Sequence, residues 1–282
     1  MSETSDRQTL LLGHSPDPDD AFMFYGLAKG LVDPGRWSFE HVLQDIQTLN
    51  ERALRGELHI TAISIHAYPY VADKYALTNC GSSMGDGYGP MVVTREPTDI
   101  ASLAGKKIAI PGEMTTAFLA LNLLLGKDSF QHEVVMFDKI LEHVAAGKAD
   151  AGLIIHEGQL TYQNHKLHCA VDLGAWWQKD TGLPLPLGGN TIRRDLGEDM
   201  PEIAAILKNS IEYSLAHREE AVEYALGFAR DMGTDLADRF VGMYVNDWTL
   251  DYGDKGRQAV RELLRRGHGA GLIPDPGEID FV

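Results

Sequence analysis

The segment VAAGKADAGLIIHE, Val144 to Glu157, contains the pattern on which the fold prediction rests. The segment starts with the last residues of a predicted helix, which ends at Gly147. A short linker then leads into the apolar run AGLII, and His156 and Glu157 follow directly. A short apolar run bounded by helix-breaking residues is typical of a buried strand. A polar pair directly after such a strand has two interpretations. Either the strand runs out into solvent, or it ends in a ligand cleft.

A similar segment occurs earlier in the chain. In ALRGELHITAISIH, Ala53 to His66, a helix end is followed by Gly56, a linker, an apolar strand and a histidine. The units that precede the two segments also correspond: LLLGHSPDPDDAFMF and IAIPGEMTTAFLALNLLL both read as strand, polar loop and helix. Short apolar runs that alternate with helix-period segments indicate an α/β fold. The repetition of the pattern predicts two similar α/β lobes.

Two short extended runs connect the predicted lobes. GPMVVTRE, Gly89 to Glu96, and GGNTIRRDL, Gly188 to Leu196, each begin with glycine and end in charged residues. We interpret them as two hinge crossings. This predicts a smaller lobe over 95–190, a larger lobe formed by 1–94 together with 191–282, and a ligand cleft between the lobes.

Other elements follow from periodicity and helix-end signals. Strands are expected over 9–12 and about 37–43. A helix is expected over 21–29, stopped by Gly30, and another over 45–54. The C-terminal part is expected to be helical over 201–230, with a break near His217 and Arg218, and again over 255–266.

The composition restricts the classes of partner. The 25 basic and 41 acidic residues give a formal charge of 25 − 41 = −16, which disfavours nucleic acid and anionic membrane surfaces. The polar, acidic N-terminus and the lack of long apolar windows predict a cytoplasmic, soluble protein without membrane contact. Two cysteines, Cys80 and Cys169, form neither a disulfide framework nor a CxxC site. An anionic ligand would need a locally favourable site, such as a helix N-terminus. No oligomeric state is predicted.

Ligands of open α/β sheets bind beyond the carboxyl ends of the strands. The loops there contain the polar candidates Ser15, Asp17, Asp19 and Asp20, then Ser64 and His66, then Thr115 and Thr116, and finally His156 and Glu157. Two facing lobes would bring these loops to one cleft.

Each candidate also has a purely structural interpretation. Ser15 and the aspartates suit a helix cap as well as a ligand contact. Thr115 and Thr116 read as the N-cap and first residue of a helix, whose hydroxyl and N–H groups would also suit a carboxylate. His66 is expected to be a surface residue at a helix start. His156 is either a structural histidine or a base, because histidine titrates near neutral pH.

Several chemistries are excluded by spacing. The chain contains no GxGxxG or GxxxxGK[ST] nucleotide motif and no GxSxG nucleophile motif. His165 and His168 beside Cys169 lack further ligands for a metal site. No metal site and no nucleotide-binding motif are therefore expected.

Longer stretches resemble 1,4-dihydroxy-6-naphthoate synthases, enzymes of the futalosine route to menaquinone. The resemblance covers nearly the whole chain and is carried by DAFMFYGL (20–27), GLIIHE with the following TY (152–162), VDLGAWW (171–177), TGLPLPLGG (181–189), RRDLG (193–197) and YVN (244–246). It implies the two-lobed fold of periplasmic binding proteins. It also implies a carbon–carbon lyase without cofactor that converts cyclic dehypoxanthinylfutalosine, a small anionic carboxylate, to 1,4-dihydroxy-6-naphthoate and dihydroxyacetone.

The resemblance also implies residue roles. The histidine of the IIHE motif is the family's base and corresponds to His156. The threonine pair that contacts substrate corresponds to Thr115 and Thr116. A further contact stretch corresponds to Thr61, Ala62 and Ile63, with Ser64 beside it, and Ser15 is a candidate from the first loop.

Two positions depart from the family pattern. Many members read Ser-Pro-Cys-Pro-Asn-Asp in the first loop, where this chain has Asp17 and Asp19, and some carry a lysine where it has Ala62. Fewer cations and more carboxylates near a cleft would weaken anion binding. A non-catalytic cytoplasmic solute-binding protein of the same fold and the related chorismate dehydratase are therefore the alternatives.

Overall fold

A computed structural model describes residues 7–229 and 233–282 of the chain. In chain order its strands are β1 (Gln8–His14), β2 (Trp37–Leu43), β3 (Ile60–Ser64), β4 (Tyr75–Leu77), β5 (Ser83–Gly85), β6 (Met91–Thr94), β7 (Lys107–Ile110), β8 (Gln131–Val134), β9 (Ala151–Ile154), β10 (His168–Asp172) and β11 (Leu185–Arg193). Its α-helices are α1 (Pro18–Met23), α2 (Tyr25–Ala28), α3 (Ile46–Leu54), α4 (Thr116–Leu125), α5 (Ile140–Ala145), α6 (Gly158–Thr161), α7 (Leu173–Thr181), α8 (Met200–Ala216), α9 (Arg218–Leu226), α10 (Thr234–Tyr244), α11 (Asp247–Leu250) and α12 (Gly253–Gly269). Short 3₁₀ turns occur at Ile65–Tyr70, Ile100–Leu103, Phe137–Lys139, Tyr162–His165 and Arg194–Asp199.

The strands form two separate sheets. In the first sheet β1 lies between β2 and β3 and is parallel to both, while β11 runs antiparallel to β3, β4 and β5. In the second sheet β7 lies between β8 and β9 and is parallel to both, while β6 runs antiparallel to β9 and β10. The sequence repeat is therefore also a repeat of topology, since β3 and β9 each lie between a parallel and an antiparallel neighbour.

The antiparallel strands divide the chain between the two sheets at positions that differ from the lobe boundaries predicted from the hinge runs. Met91–Thr94, expected in the larger lobe, is β6 and belongs to the second sheet. Residues 185–190, expected in the smaller lobe, belong to β11 of the first sheet. We therefore propose that the crossings lie before Met91 and before Leu185 rather than at 94/95 and 190/191.

Most local expectations agree with the structure. The strand over 37–43 is present, and the helix expected over 45–54 is α3, where Asp45 is the N-cap and accepts a hydrogen bond from the Thr48 N–H (3.1 Å). The helix expected over 21–29 is instead divided at Phe24 into α1 and α2. The break at His217 separates α8 from α9, which ends at Leu226; Arg230, the expected limit of this helical region, lies outside the described residues.

One apolar core connects the two sheets. It combines Ile63 and Leu77 of the first sheet with Ile108 and Leu153 of the second, and Leu263 of α12 packs into the same cluster. Each fully buried side chain of this size contributes about 1.5–3 kcal/mol. The shared core holds the carboxyl ends of β3 and β9 close together, and this position decides where a ligand can bind. No helix of the described part of the chain is long and apolar enough to cross a membrane.

Candidate functional site

A cavity lies between the two sheets at the carboxyl ends of their strands. Its empty volume, including the open mouth, is about 740 Å³, within the range of roughly 300–1,000 Å³ typical of small-molecule sites. The first sheet and its loops contribute most of the lining, and the second contributes the start of α4 and the end of β9. The lining includes Ser15, Asp17, Asp19, Asp20, Ala62, Ile63, Ser64, Gly81, Thr115, Thr116, Ala117, Ile155, Leu187, Gly188, Asn190 and Tyr244.

The loop after β1 brings carboxyl groups into the cavity. The Ser15 N–H donates to Asp20 Oδ2 (2.7 Å), and the Ser15 hydroxyl donates to Asp17 Oδ2 (2.5 Å). Burial raises the pKa of Asp20 to about 7 against the opposing effect of the Ser15 N–H. Burial and repulsion from Asp20 and Asp17 raise the pKa of Asp19 as well. The raised pKa values favour the protonated forms of these carboxyls, which reduces the negative charge that an anionic ligand meets.

Asp17 does not act as the cap that the sequence suggested as one interpretation. It stands at the N-cap position of α1, but its side chain makes no capping hydrogen bond. The carboxylate is instead bound by the Ser15 hydroxyl. The loop is thus organised around its own polar groups at the cavity wall.

The strand β3 presents three of its four expected residues to the cavity. Ala62, Ile63 and Ser64 line it. Thr61, which the resemblance placed among the contacts, lies outside the lining, because its hydroxyl donates to the Ala62 carbonyl (3.0 Å) and its side chain is fully buried. The Ser64 N–H donates to Asn50 Oδ1 (2.8 Å) and the Ser64 hydroxyl accepts from Asn50 Nδ2 (3.0 Å). The hydroxyl hydrogen of Ser64 remains available to a ligand.

The two threonines occupy the expected positions at the start of α4, but their hydroxyls bind the protein. Thr115 is the N-cap, accepts from the Phe118 N–H (3.3 Å) and donates to the Gly112 carbonyl (2.8 Å). The Thr116 hydroxyl donates to the Leu187 carbonyl (2.6 Å) and accepts from the His66 N–H (3.1 Å). What this helix offers a carboxylate is therefore its first backbone N–H groups, which have no acceptor within the helix, together with the positive end of the helix dipole.

His66 differs from its expected place on the surface. It is buried, and its Nδ1 lies 3.1 Å from the Thr115 carbonyl oxygen. Burial lowers the pKa of His66, so this imidazole is neutral at working pH. Together with its backbone bond to Thr116, it fixes the start of α4 against the first sheet.

His156 lies directly behind the cavity wall. Ile155 lines the cavity, whereas His156 lines a second, outer cavity with Glu157 and Leu141. Its Nε2 donates to the Phe137 carbonyl (2.6 Å), its Nδ1 accepts from the Gly158 N–H (3.1 Å), and Glu157 Oε2 lies 3.2 Å from Nδ1. Both ring nitrogens are thus bound within the protein, and a transfer of protons with a ligand requires the ring to turn.

The electrostatic surroundings of His156 favour the protonated form of its imidazole. Burial alone lowers the pKa of His156, but the hydrogen bond and charge of Glu157, helped by the Phe137 carbonyl and Asp17, outweigh it, and the net shift is upward. Glu157, for which the sequence left the direction open, faces the imidazole.

Two lining residues had no role in the sequence analysis. The Tyr244 hydroxyl, in the YVN motif, donates to Gln159 Oε1 (2.7 Å), three residues after His156. Asn190, in the GGN of the second hinge run, has neither side-chain oxygen nor nitrogen bonded to the protein. Both residues lie in motifs that the sequence analysis noted. The contacts of these motifs come from distant strands, so no local pattern marked either residue as part of the site.

The expectation of no metal site concerned His165, His168 and Cys169. His168 and Cys169 line a surface cavity away from the cleft. Within residues 7–229 and 233–282, no group of three or more histidine, cysteine, aspartate or glutamate side chains is arranged to hold a metal ion.

A sequence model of the family described as menaquinone biosynthesis matches residues 10–269. The chain belongs to this family. A 1,4-dihydroxy-6-naphthoate synthase from Thermus thermophilus is 42% identical over 95% of this chain and 98% of its own length. One of the same name from Streptomyces coelicolor is 40% identical over 95% of this chain and 96% of its own length. This family membership confirms the resemblance stated from the sequence.

Solved structures confirm the fold. A protein from Archaeoglobus fulgidus, 42% identical, superposes with a TM-score of 0.89 over 96% of this chain and 100% of that chain. A Candida albicans protein described as having the generic periplasmic binding protein fold superposes with a TM-score of 0.70 at 17% identity, over 96% of this chain and 92% of that chain. This chain thus has the two-lobed α/β architecture expected from the sequence.

Proposed function

We propose that this chain is a lyase of menaquinone biosynthesis that converts cyclic dehypoxanthinylfutalosine to 1,4-dihydroxy-6-naphthoate and dihydroxyacetone in the cytoplasm. The observation that carries the proposal is the match of almost the whole chain to relatives named for this synthase. The cavity supports it, because the segments that carry the resemblance supply its lining, including Ile155 and Leu187. The names of these relatives also favour this activity over chorismate dehydration.

The substrate carboxylate would bind at the start of α4. The donors would be the backbone N–H groups of Thr116 and Ala117 and the hydroxyl of Ser64, since these three residues line the same cavity. No lysine or arginine is among the residues that line it. The raised pKa values of Asp19 and Asp20 favour their protonated forms, which would reduce repulsion of an anionic ligand in a cavity without a cation at position 62.

The chemistry would begin with a proton transfer from the substrate to His156. Turning of the imidazole from the Phe137 carbonyl would expose a ring nitrogen toward the cavity, and Glu157 would stabilise the resulting imidazolium. The bond to the three-carbon fragment then breaks, and the fragment takes the bonding electrons and a proton. The remaining ring becomes aromatic, which supplies driving force. Closure of the two lobes would exclude water from these steps.

The test is incubation of the purified protein with cyclic dehypoxanthinylfutalosine, with detection of 1,4-dihydroxy-6-naphthoate and dihydroxyacetone in equal amounts. Chorismate serves as the parallel substrate. Formation of both products supports the proposal. Conversion of chorismate instead, or tight binding of the cyclic substrate without product, would contradict it.

A further inference from the structure

The amide of Asn190 is a buried polar group that the folded protein leaves without partners. The residue is 1% exposed, and neither Oδ1 nor Nδ2 makes a hydrogen bond in the protein. Its backbone is fixed, because its carbonyl accepts from both the N–H (2.9 Å) and the hydroxyl (3.0 Å) of Thr78. Buried amides are nearly always hydrogen-bonded, so this one calls for a partner from outside the chain. It borders the cavity, where such a partner can lie.

The surroundings of Asn190 leave space for a ligand and hold the amide in place. Asn190 of β11 is paired with Ala62 of β3, and directly opposed residues of an antiparallel pair project from the same face of the sheet. The small side chain of Ala62 leaves the neighbouring space open. On another side the backbone of Gly81 lies so close that a Cβ there would be 2.0 Å from Asn190 Nδ2. Only glycine fits at that position, where φ is also +75°.

One end of the cavity, at the start of α4, suits the carboxylate, and Asn190 lies some distance away from that end. The Leu187 carbonyl accepts from Thr116 at the start of α4, and Ser64 is paired with Gly188. Asn190 is three residues beyond Leu187 on the same strand, which corresponds to roughly 10 Å at the usual rise of a β-strand. The cavity therefore has two polar ends, one with N–H and hydroxyl donors and one with a carboxamide.

The chemistry of a carboxamide selects its ligand. It offers one acceptor and two donor hydrogens, so it satisfies a group that both donates and accepts, as a hydroxyl does. A carboxylate would leave Oδ1 without a donor, and an ammonium group would leave Nδ2 without an acceptor. A second anionic group is further disfavoured by Asp17, Asp19 and Asp20 in the same cavity.

We propose that Asn190 is a specificity-determining residue that binds the neutral hydroxyl groups of the substrate, at the end of the cavity opposite the carboxylate. The inference rests on the proposed function. In that reaction the hydroxyl-bearing part is the three-carbon fragment that leaves as dihydroxyacetone. Asn190 thus selects ligands that carry a carboxylate at one end and neutral hydroxyls at the other, and it places the bond that breaks between the two ends.

The test compares wild type with Asn190→Leu, which keeps a similar volume and removes donor and acceptor. KM for cyclic dehypoxanthinylfutalosine should rise at least about tenfold, since a site built for a hydroxyl then lacks its partner. Kd for 1,4-dihydroxy-6-naphthoate, which lacks the three-carbon fragment, should stay within about twofold. The Tm of the empty protein should not fall, because the residue removed was an unpaired amide.

Asn122→Leu is the matched control. Asn122 is a buried asparagine outside the cavity that donates to the Phe118 carbonyl of its own helix (2.9 Å). Its replacement should lower Tm and leave KM unchanged. Asn190→Ala, which adds no bulk beside Gly81, repeats the test should the leucine variant not fold.

The outcomes separate the two proposals. A wild-type protein that converts the substrate, with Asn190 variants of unchanged KM, would overturn the assignment of Asn190 alone. A lower Tm with an equal loss of affinity for substrate and naphthoate would also overturn it, in favour of a structural role. A wild-type protein that neither converts the substrate nor binds the naphthoate would overturn the proposed function itself.

Discussion

At the scale of single residues, Glu157 holds His156, the base in the proposed reaction. The carboxylate lies 3.2 Å from Nδ1 and contributes to the raised pKa of the imidazole. Glu157→Gln removes this charge and should lower the pKa of His156, so that the base form persists to lower pH. We therefore expect the acid limb of kcat to move to lower pH.

The measurement is kcat against pH from about 5 to about 8, the window in which histidine titrates. Glu142→Gln is the control, because Glu142 lines the same outer cavity but does not contribute to the shift of His156. An acid limb that stays in place in Glu157→Gln would show that another group titrates.

The Asp20 carboxyl should make stability depend on pH. Its pKa is 3.8 in the absence of shifts and about 7 in the folded protein, so the unfolded chain releases its proton first as pH rises. The free energy of unfolding should thus fall from about pH 4 to about pH 7, by on the order of 4 kcal/mol for a shift of this size.

In Asp20→Asn this part of the pH dependence should disappear, while the amide oxygen can still accept from the Ser15 N–H. Urea unfolding at about pH 4.5 and about pH 8 measures the difference. Asp99→Asn, which makes the same change of charge at an exposed site, should keep the dependence of the wild type. Equal behaviour of the two variants would contradict the account of Asp20.

Sequence reasoning located the residues of the site better than their contacts. It found Ser15, Ser64, Thr115 and Thr116, because each follows a strand in a pattern of local signals. It could not assign Thr61 to the buried side of β3, since that depends on the bond of its hydroxyl to its own strand. It did not single out Asn190, whose meaning comes from Ala62 and Gly81 in distant parts of the chain.

At the scale of elements, the start of α4 combines a structural role with the proposed binding of the carboxylate. Thr116→Val removes a hydroxyl that bonds the His66 N–H and the Leu187 carbonyl, and unpaired buried groups cost about 1–3 kcal/mol. Thr115→Val removes the helix cap, at about 0.5–2 kcal/mol. Both variants should lose stability. Affinity for 1,4-dihydroxy-6-naphthoate should change little, because the backbone N–H groups remain.

Thermal unfolding and calorimetric titration with the naphthoate, performed well below Tm, separate the two effects. A tenfold loss of affinity at unchanged stability would mean that the hydroxyls themselves bind the carboxylate.

The residues at which the chain passes from one sheet to the other were predicted least accurately from the sequence. The hinge runs were recognised, but β6 pairs with β9 and β11 pairs with β3. Such antiparallel pairing joins residues far apart in the chain, and no local pattern specifies it. By contrast, β2 and the capped helix α3 follow from local alternation, periodicity and a single aspartate.

At the scale of the whole molecule, two similar sheets share one core and enclose one cavity. The repeat predicted the two halves, and the family match confirmed the fold. The strands that end the two repeated units, β3 and β9, both lead to the cavity, which Ser64 and Ile155 line. The pair His156 and Glu157 thus follows a strand that ends at a ligand cleft rather than in free solvent, although the imidazole itself lies just behind the wall.

The most direct test of the account is the single-turnover rate of naphthoate formation by wild type and His156→Asn, each saturated with cyclic dehypoxanthinylfutalosine. The asparagine keeps a planar polar group but cannot accept a proton at neutral pH. Loss of a general base costs roughly 10²–10⁴-fold in rate, so we predict that the variant binds the substrate with similar affinity and forms naphthoate at least about a hundredfold more slowly. Equal rates in the two proteins, or a wild type that binds the substrate and forms no naphthoate, would contradict it.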